Sequence, residues 1–249
     1  MSLDVFVISK EVDLKIIEEL SNNFDSITVV TPDCSGFDNT KNIEFVCDST
    51  YLNYSWFKDK VKDGLRVGWY YQQFLKYSIV EKSSGDNVLI IDGDSIVSDV
   101  VTKPVIFTTG KQAQEQYLKF NRRLLGGSIY EEESFVTNQM LFNKKIFHCL
   151  IDSIESHNAT SWMNAILNII NNSQGAQFSE YQLYGSYAKN EHSVKVDKIK
   201  VFRRMDCINK GVEEGLEKYD LIAYESHHKT GLLRKIRAKI LFKLGVSIG

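Results

Sequence analysis

Two carboxylates one residue apart, Asp92 and Asp94 around Gly93, close the run Val88-Leu89-Ile90-Ile91. An unbroken apolar run rich in β-branched residues reads as a strand buried on both faces. The acids therefore stand at the strand's C-terminal edge, where open α/β sheets take their ligands. Hard oxygen donors on either side of a glycine that lets the chain turn suit a divalent cation held beside a phosphorylated ligand. A carboxylate buried at such an edge costs several kcal/mol unless it is paired or metal-bound. Asp-Gly is also an ordinary turn dipeptide, and the residues alone leave both readings open.

Positioning the two acids falls to the elements around them. Asp4 to Lys10 reads as a short buried strand, Asp13 to Leu20 as a helix with Leu14, Ile16, Ile17 and Leu20 on one side, and Ser26 to Pro32 and Asn42 to Val46 as two further strands. This β-α-β spacing predicts a parallel sheet with right-handed crossovers. Ser9 and Lys10 would then leave the first strand at the same edge as Asp92 and Asp94, making a nucleotide cradle. Neither a Gly-x-Gly-x-x-Gly fingerprint nor a Gly-Lys-Ser/Thr loop is present, so dinucleotide and P-loop binding are excluded as its basis. Gly68 to Val80 reads as a helix with an apolar stripe of Phe74, Leu75 and Ile79, while Trp69, Gln72, Gln73 and Lys76 carry more polar capacity than packing needs. Ser134 to Phe142 reads as a short strand or buried turn. Helices follow at 144–157 and 161–171. Between Gln177 and Tyr187 polar residues alternate with aromatics, a composition that fits stacking on sugar rings and fits a core boundary equally.

At 249 residues the chain fits one large domain, or one domain with a small appendage. No apolar run approaches the roughly 18 residues that span a bilayer, and the N-terminus lacks a basic-then-apolar leader, so a cytoplasmic location is expected. Cys34, Cys47, Cys149 and Cys207 are far apart with no Cys-x-x-Cys pair, and read as reduced thiols. The net charge of −2 is unevenly spread: Lys229 to Lys243 holds six basic residues and no acid, so removing that +6 leaves −8 for the rest. A globule that acidic repels phosphate backbones, which argues against nucleic acid as a partner.

Taken together, Gly68-Trp69-Tyr70-Tyr71-Gln72-Gln73-Phe74-Leu75-Lys76, Ile91-Asp92-Gly93-Asp94, Phe135-Val136-Thr137-Asn138-Gln139-Met140-Leu141-Phe142, Ser179-Glu180-Tyr181-Gln182-Leu183-Tyr184-Gly185 and His227-His228 resemble, in this order, a poorly characterised bacterial family of GT-A fold glycosyltransferases found among surface-polysaccharide (capsule and lipopolysaccharide) genes. The resemblance spans roughly residues 4 to 230. It implies an α/β fold with a Rossmann-like, mostly parallel central sheet flanked by helices. It also implies a single domain over 1–230, with 1–100 as the nucleotide-binding half and 101–230 as the acceptor half, and a basic helix over 231–249. The activity it implies is metal-dependent transfer of a sugar from a nucleotide-diphospho-sugar, a UDP-sugar first, to a glycan or lipid-linked saccharide.

By role, the resemblance makes Asp94 the carboxylate on a divalent metal that bridges the donor diphosphate, with Asp92 assisting through ribose or a metal-bound water. His227 or His228 would add a ligand, which makes Mn²⁺ at least as plausible as Mg²⁺. Such a metal neutralises the charge that builds on the departing diphosphate. Glu180 would take the proton of the acceptor hydroxyl, and Lys10, Arg66 and Lys111 are candidate phosphate contacts, with Ser9, Trp69 and Gln73 beside the donor. The tail places Leu232, Leu233, Ile236, Ile240 and Leu244 at helical spacing among cations, a pattern for peripheral docking on an anionic membrane, or for a terminal helix packed on the domain. Two other readings of the Asp-x-Asp strand are a non-catalytic nucleotide-sugar or glycan-binding protein on the same fold, and a phosphohydrolase of the haloacid dehalogenase type with Asp92 as nucleophile.

Overall fold

The computed structural model describes residues 2–62, 64–98, 103, 105–172, 177–203, 212–224 and 232–246. In chain order its elements are Leu3–Ile8 (β1), Leu14–Ser21 (α1), Ile27–Thr31 (β2), Ile43–Cys47 (β3), Tyr54–Lys60 (α2), Val67–Lys82 (α3), Asn87–Asp92 (β4), Ser95–Val97 (β5), Ile106–Thr108 (β6), Glu115–Leu125 (α4), Gln139–Asn143 (β7), Lys144–Asn158 (α5), Trp162–Asn172 (α6), Glu180–His192 (α7), Val196–Lys198 (β8), Val201–Arg203 (β9), Val212–Leu216 (α8), Leu221–Ala223 (β10) and Leu232–Lys243 (α9). Helix starts are fixed by side chains that accept from orphan amides: Asp13 before α1, Asn53 before α2, Asn143 before α5 and Ser179 before α7.

The class is α/β. A five-stranded sheet runs in the order β3-β2-β1-β4-β7, parallel throughout except for β7, which pairs antiparallel with β4. Strand alternation sorts its side chains to two cores. Phe6, Ile8, Val88, Ile90, Met140 and Phe142 face a thick helical layer that includes α3, α5, α6 and α7. Val5, Val7, Leu89 and Ile91 face the other way, onto α1, the small sheet β5-β10-β9 and α9. This double covering is what an uninterrupted apolar strand requires.

Two expectations change here. Cys34 and Cys47 are not reduced thiols but a disulfide, with Cα atoms 5.0 Å apart. They lie 13 positions apart in sequence, yet β2 and β3 pair in parallel with Thr31 opposite Cys47, which brings the chain just past β2 back to the end of β3. The Gln177–Tyr187 segment is no stacking platform either. It forms much of α7, and Tyr181 and Tyr184 are 2% and 0% exposed. Among the described residues, no helix is long and apolar enough to cross a membrane.

Candidate active site

Asp92 ends β4 opposite Ile8 of β1. Its amide donates to the carbonyl of Asn138 (2.9 Å), and Asn138 sits at φ 64°, a left-handed conformation that asparagine tolerates better than most residues. Gly93 follows, its amide on the Ile8 carbonyl at 2.8 Å. A Cβ there would lie 2.4 Å from Ser9 Cβ and 2.8 Å from the Ile8 carbonyl oxygen. The glycine is therefore demanded by close backbone approach, beyond any preference of turns. Asp94 accepts at Oδ1 from the Ser95 hydroxyl (3.3 Å), and its carbonyl accepts from the Tyr224 amide (2.7 Å), tying the motif to the β5–β10 pair.

Behind Asp92 lies a buried charge cluster. Lys76 Nζ, from the middle of α3, stands 2.6 Å from Asp92 Oδ1 and 2.6 Å from Glu180 Oε1, with the Tyr181 ring centroid 4.1 Å away. Tyr181 also donates its hydroxyl to Asp92 Oδ1 (3.2 Å), and Tyr77 donates to the Glu180 carbonyl (3.0 Å). The side chains of Lys76 and Glu180 are 7% and 5% exposed, that of Asp92 30%. Burial pulls the Lys76 ammonium down, but the Asp92 and Glu180 carboxylates pull harder and hold it well above the ordinary lysine range. Burial pushes the Glu180 carboxyl up, opposed by Lys76. One fixed cation thus serves two acids and sets the orientation of the first carboxylate of the motif.

The expected site residues fall into three groups. Asp92, Asp94 and Ser9 lie together at the edge, Ser9 buried against Gly93 with its hydroxyl on the Glu11 carbonyl, whereas Gln73, 3% exposed, lies inside α3 with its amide on the Trp69 carbonyl and its buried Oε1 without a partner among the described residues. Lys10 is exposed and lines a cavity of about 290 Å³ with Val12, Thr31, Pro32, Asp33 and Phe37, at the ends of β1 and β2. Arg66 precedes α3, its guanidinium 5.0 Å from the Trp69 ring. Glu180 is the residue whose surroundings differ most from expectation. A carboxylate enclosed against a lysine has the position of a group that orients others, with no open face for an acceptor hydroxyl. His227 and His228 lie outside the described residues, and among those described no cluster of three His, Cys, Asp or Glu side chains could hold a metal.

The sequence reading missed Arg203 and Tyr117, and left Lys76 without its partners. Arg203, at the end of β9, donates to the Val136 carbonyl (2.7 Å), while its buried Nε has no partner among the described residues. Lys111 is attached to the same 134–138 segment through the Ser134 amide on its carbonyl (2.8 Å). Burial and the Arg203 charge lower its ammonium. Burial raises the Tyr117 phenol, which also feels Glu180, Arg203 and Arg66. Only the strand pairing Ser95–Ala223–Arg203 reveals that Arg203 belongs to this edge.

The donor set suits a hard divalent cation in one respect. Asp92 Oδ1 is held by Lys76 and Tyr181 while its side chain stays 30% exposed, and the carboxylates of Asp92 and Asp94 are hard oxygen donors of the kind such a cation takes.

Comparison with known proteins adds the following. No curated protein matches the chain. Among solved structures it is similar to the galactosyltransferase LgtC in complex with donor and acceptor sugar analogs, at 12% identity and TM-score 0.47, over 99% of this chain and 97% of that one. It is similar also to apo mouse xyloside xylosyltransferase 1, at 7% identity and TM-score 0.46, over 92% of this chain and 99% of that one. The sequence pattern of the Family of unknown function (DUF6492) matches residues 4–227, and the chain belongs to that family.

Proposed function

We propose that the protein is a metal-dependent glycosyltransferase of GT-A type, which moves a sugar from a nucleotide-diphospho-sugar, a UDP-sugar first, to a glycan or lipid-linked saccharide in bacterial surface-polysaccharide synthesis. The observation that carries this reading is the Asp92-Gly93-Asp94 edge itself: the first carboxylate is locked from behind by Lys76, Glu180 and Tyr181, and Asp94 follows at the strand end, its backbone carbonyl tied to the Tyr224 amide beside β10.

In this reading residues 1–100 bind the donor and 101–230 the acceptor. The nucleoside enters the cavity between Lys10 and Phe37, and the diphosphate lies along the edge at Asp94, where β1 and β4 are held close by Gly93. Asp94 holds a divalent metal, Mn²⁺ or Mg²⁺, with His227 or His228 as a further ligand; when bound, the metal supplies Lewis-acid neutralisation of the diphosphate. Arg66, Lys111 and Arg203 add positive charge on the far side. The bond from the anomeric carbon to the diphosphate breaks with its electron pair on phosphate oxygen. A bond from the acceptor oxygen to the anomeric carbon forms, and the hydroxyl proton passes to the departing diphosphate. Glu180 contributes as a positioning residue, keeping Lys76 charged and Asp92 oriented, while Trp69 and Tyr117 line the route to the sugar and buried Gln73 braces Trp69 through its carbonyl.

A donor-hydrolysis screen across UDP-, GDP- and CMP-sugars tests the reading. Metal-dependent turnover of one donor is expected, with a loss of at least about a hundredfold in Asp94→Ala. Nucleotide binding without any turnover or transfer would instead identify a non-catalytic binding protein.

A further inference from the structure

Helix α9 is apolar on two opposite sides, and the structure accounts for one of them. Ala238 and Phe242 are 3% and 2% exposed. Phe242 closes onto Phe202 and Tyr219, with ring centroids 5.2 and 5.7 Å away, and the Lys218 ammonium lies 4.6 Å from its ring. The Tyr219 hydroxyl reaches the carbonyls of Leu241 and Val246 at 3.3 and 3.4 Å, fastening the end of the helix. The helix is thus anchored, and its outward side is fixed in direction.

That outward side is not polar. Ile236 is 46% exposed and Ile240 53%, followed just past the helix by Leu244 at 68% and Val246 at 45%. At about 100° per residue, Ile236 and Ile240 lie about 40° apart and on the side opposite Ala238 and Phe242. Lys239 and Lys243 flank the stripe on one side and Arg237 on the other, all exposed. From Leu232 to Val246 there is no acid. Single exposed apolar residues need no explanation, but a spaced row of them bordered only by cations does. The row stands on a convex helix rather than in a groove, and long cationic side chains on both flanks can lie along it with their charges outward.

We propose that α9 seats the protein on an anionic lipid surface, with Ile236, Ile240 and Leu244 entering the headgroup boundary and Arg237, Lys239 and Lys243 meeting lipid phosphates. The inference does not depend on the transferase reading, because its readout is binding to vesicles without substrate.

Co-sedimentation of the full chain with phosphatidylcholine vesicles, with and without phosphatidylglycerol, tests it. Binding is expected only when phosphatidylglycerol is present, and should weaken with salt. Lys239→Gln and Lys243→Gln should each lower partitioning about fivefold, and Ile236→Ser with Ile240→Ser should abolish it. These positions are exposed, so the variants should keep the wild-type thermal melt, which is measured alongside. Equal binding to both vesicle types, or binding to neither, overturns the proposal. So does self-association in gel filtration that Ile240→Glu abolishes, since the stripe would then be covered by a second copy.

Discussion

Two walls of the candidate site, one at Asp92 and one at the Lys10 cavity, are made rigid in different ways. On one wall, Asp92 is held by charge: a lysine from α3 and a glutamate from α7, 104 residues apart in sequence, meet at 2.6 Å in a dry interior. On the other wall, the cavity beside Lys10 is bounded by a surface loop running from Pro32 to Phe37. That loop is held by the Cys34–Cys47 disulfide and by Phe37 stacked on Phe45, ring centroids 4.7 Å apart. Buried charges resist motion because every displacement leaves one unpaired at low dielectric. A loop in water cannot use that device, so a covalent bond and an aromatic stack serve instead. In the proposed function the first wall faces the reacting bond and the second only the nucleoside. Damage to them should therefore read out differently.

The largest effect is expected from Lys76→Met, which strands two carboxylates. Urea unfolding should show a loss of roughly 3–5 kcal/mol, and nucleotide-dependent turnover should vanish even where the protein remains folded. Stability close to wild type would mean that the ion pair is not what holds this wall.

Opening the other wall should be milder for chemistry. Cys34→Ser with Cys47→Ser removes a cross-link over 13 residues, expected to cost about 3 kcal/mol in thermal unfolding. Nucleotide affinity should fall about tenfold, with the maximal rate largely kept. A collapse in rate at saturating donor would show that the walls are not separable.

Gly93→Ala strikes the joint between them. Its Cβ would sit 2.4 Å from Ser9 Cβ, with backbone close behind, so β1 and β4 must part. A destabilisation of about 1–3 kcal/mol is expected, with a rate loss of about a hundredfold from displaced acids. Activity near wild type would show that the acids need not be placed so closely.

The smallest effect is a pH dependence. Burial raises the Glu180 carboxyl, so its unfolded form deprotonates first as pH rises. Its contribution to stability is full below the ordinary glutamate range and is lost as pH climbs through the raised value. The difference in unfolding free energy between wild type and Glu180→Gln should therefore fall from acidic to neutral pH. A difference that grows with pH would reverse the sign and contradict the burial.

Much of the frame was legible in the chain. The runs at Val5–Ile8 and Val88–Ile91 are apolar on both alternations, which is what burial on two faces imposes, and they gave the sheet and the edge bearing Asp92 and Asp94. The amphipathic helices α1, α5 and α6 follow from periodicity for the same reason. What stayed hidden was fixed by tertiary contact. Helix α3 is buried almost all round, so the stripe of Phe74, Leu75 and Ile79 does not mark the side on which Lys76 meets Glu180. The aromatic rhythm of α7 left surface and core equally open because tyrosine suits both environments; here Tyr181 spends its hydroxyl on Asp92 inside the core. Cys34 and Cys47 look unrelated until β2 and β3 pair, and Arg203 has no local motif at all. Its place at the site follows from β9, β10 and β5 lying side by side.

The central claim is that Asp94 is the carboxylate of a metal–diphosphate site. Calorimetric titration of the full chain with UDP and GDP, with and without Mn²⁺, tests it most directly. The account predicts that one nucleotide binds only with the metal, and that Asp94→Asn removes this binding while leaving the thermal melt of the free protein within a few degrees of wild type. Nucleotide binding of equal strength with and without Mn²⁺, or unchanged in Asp94→Asn, would contradict it.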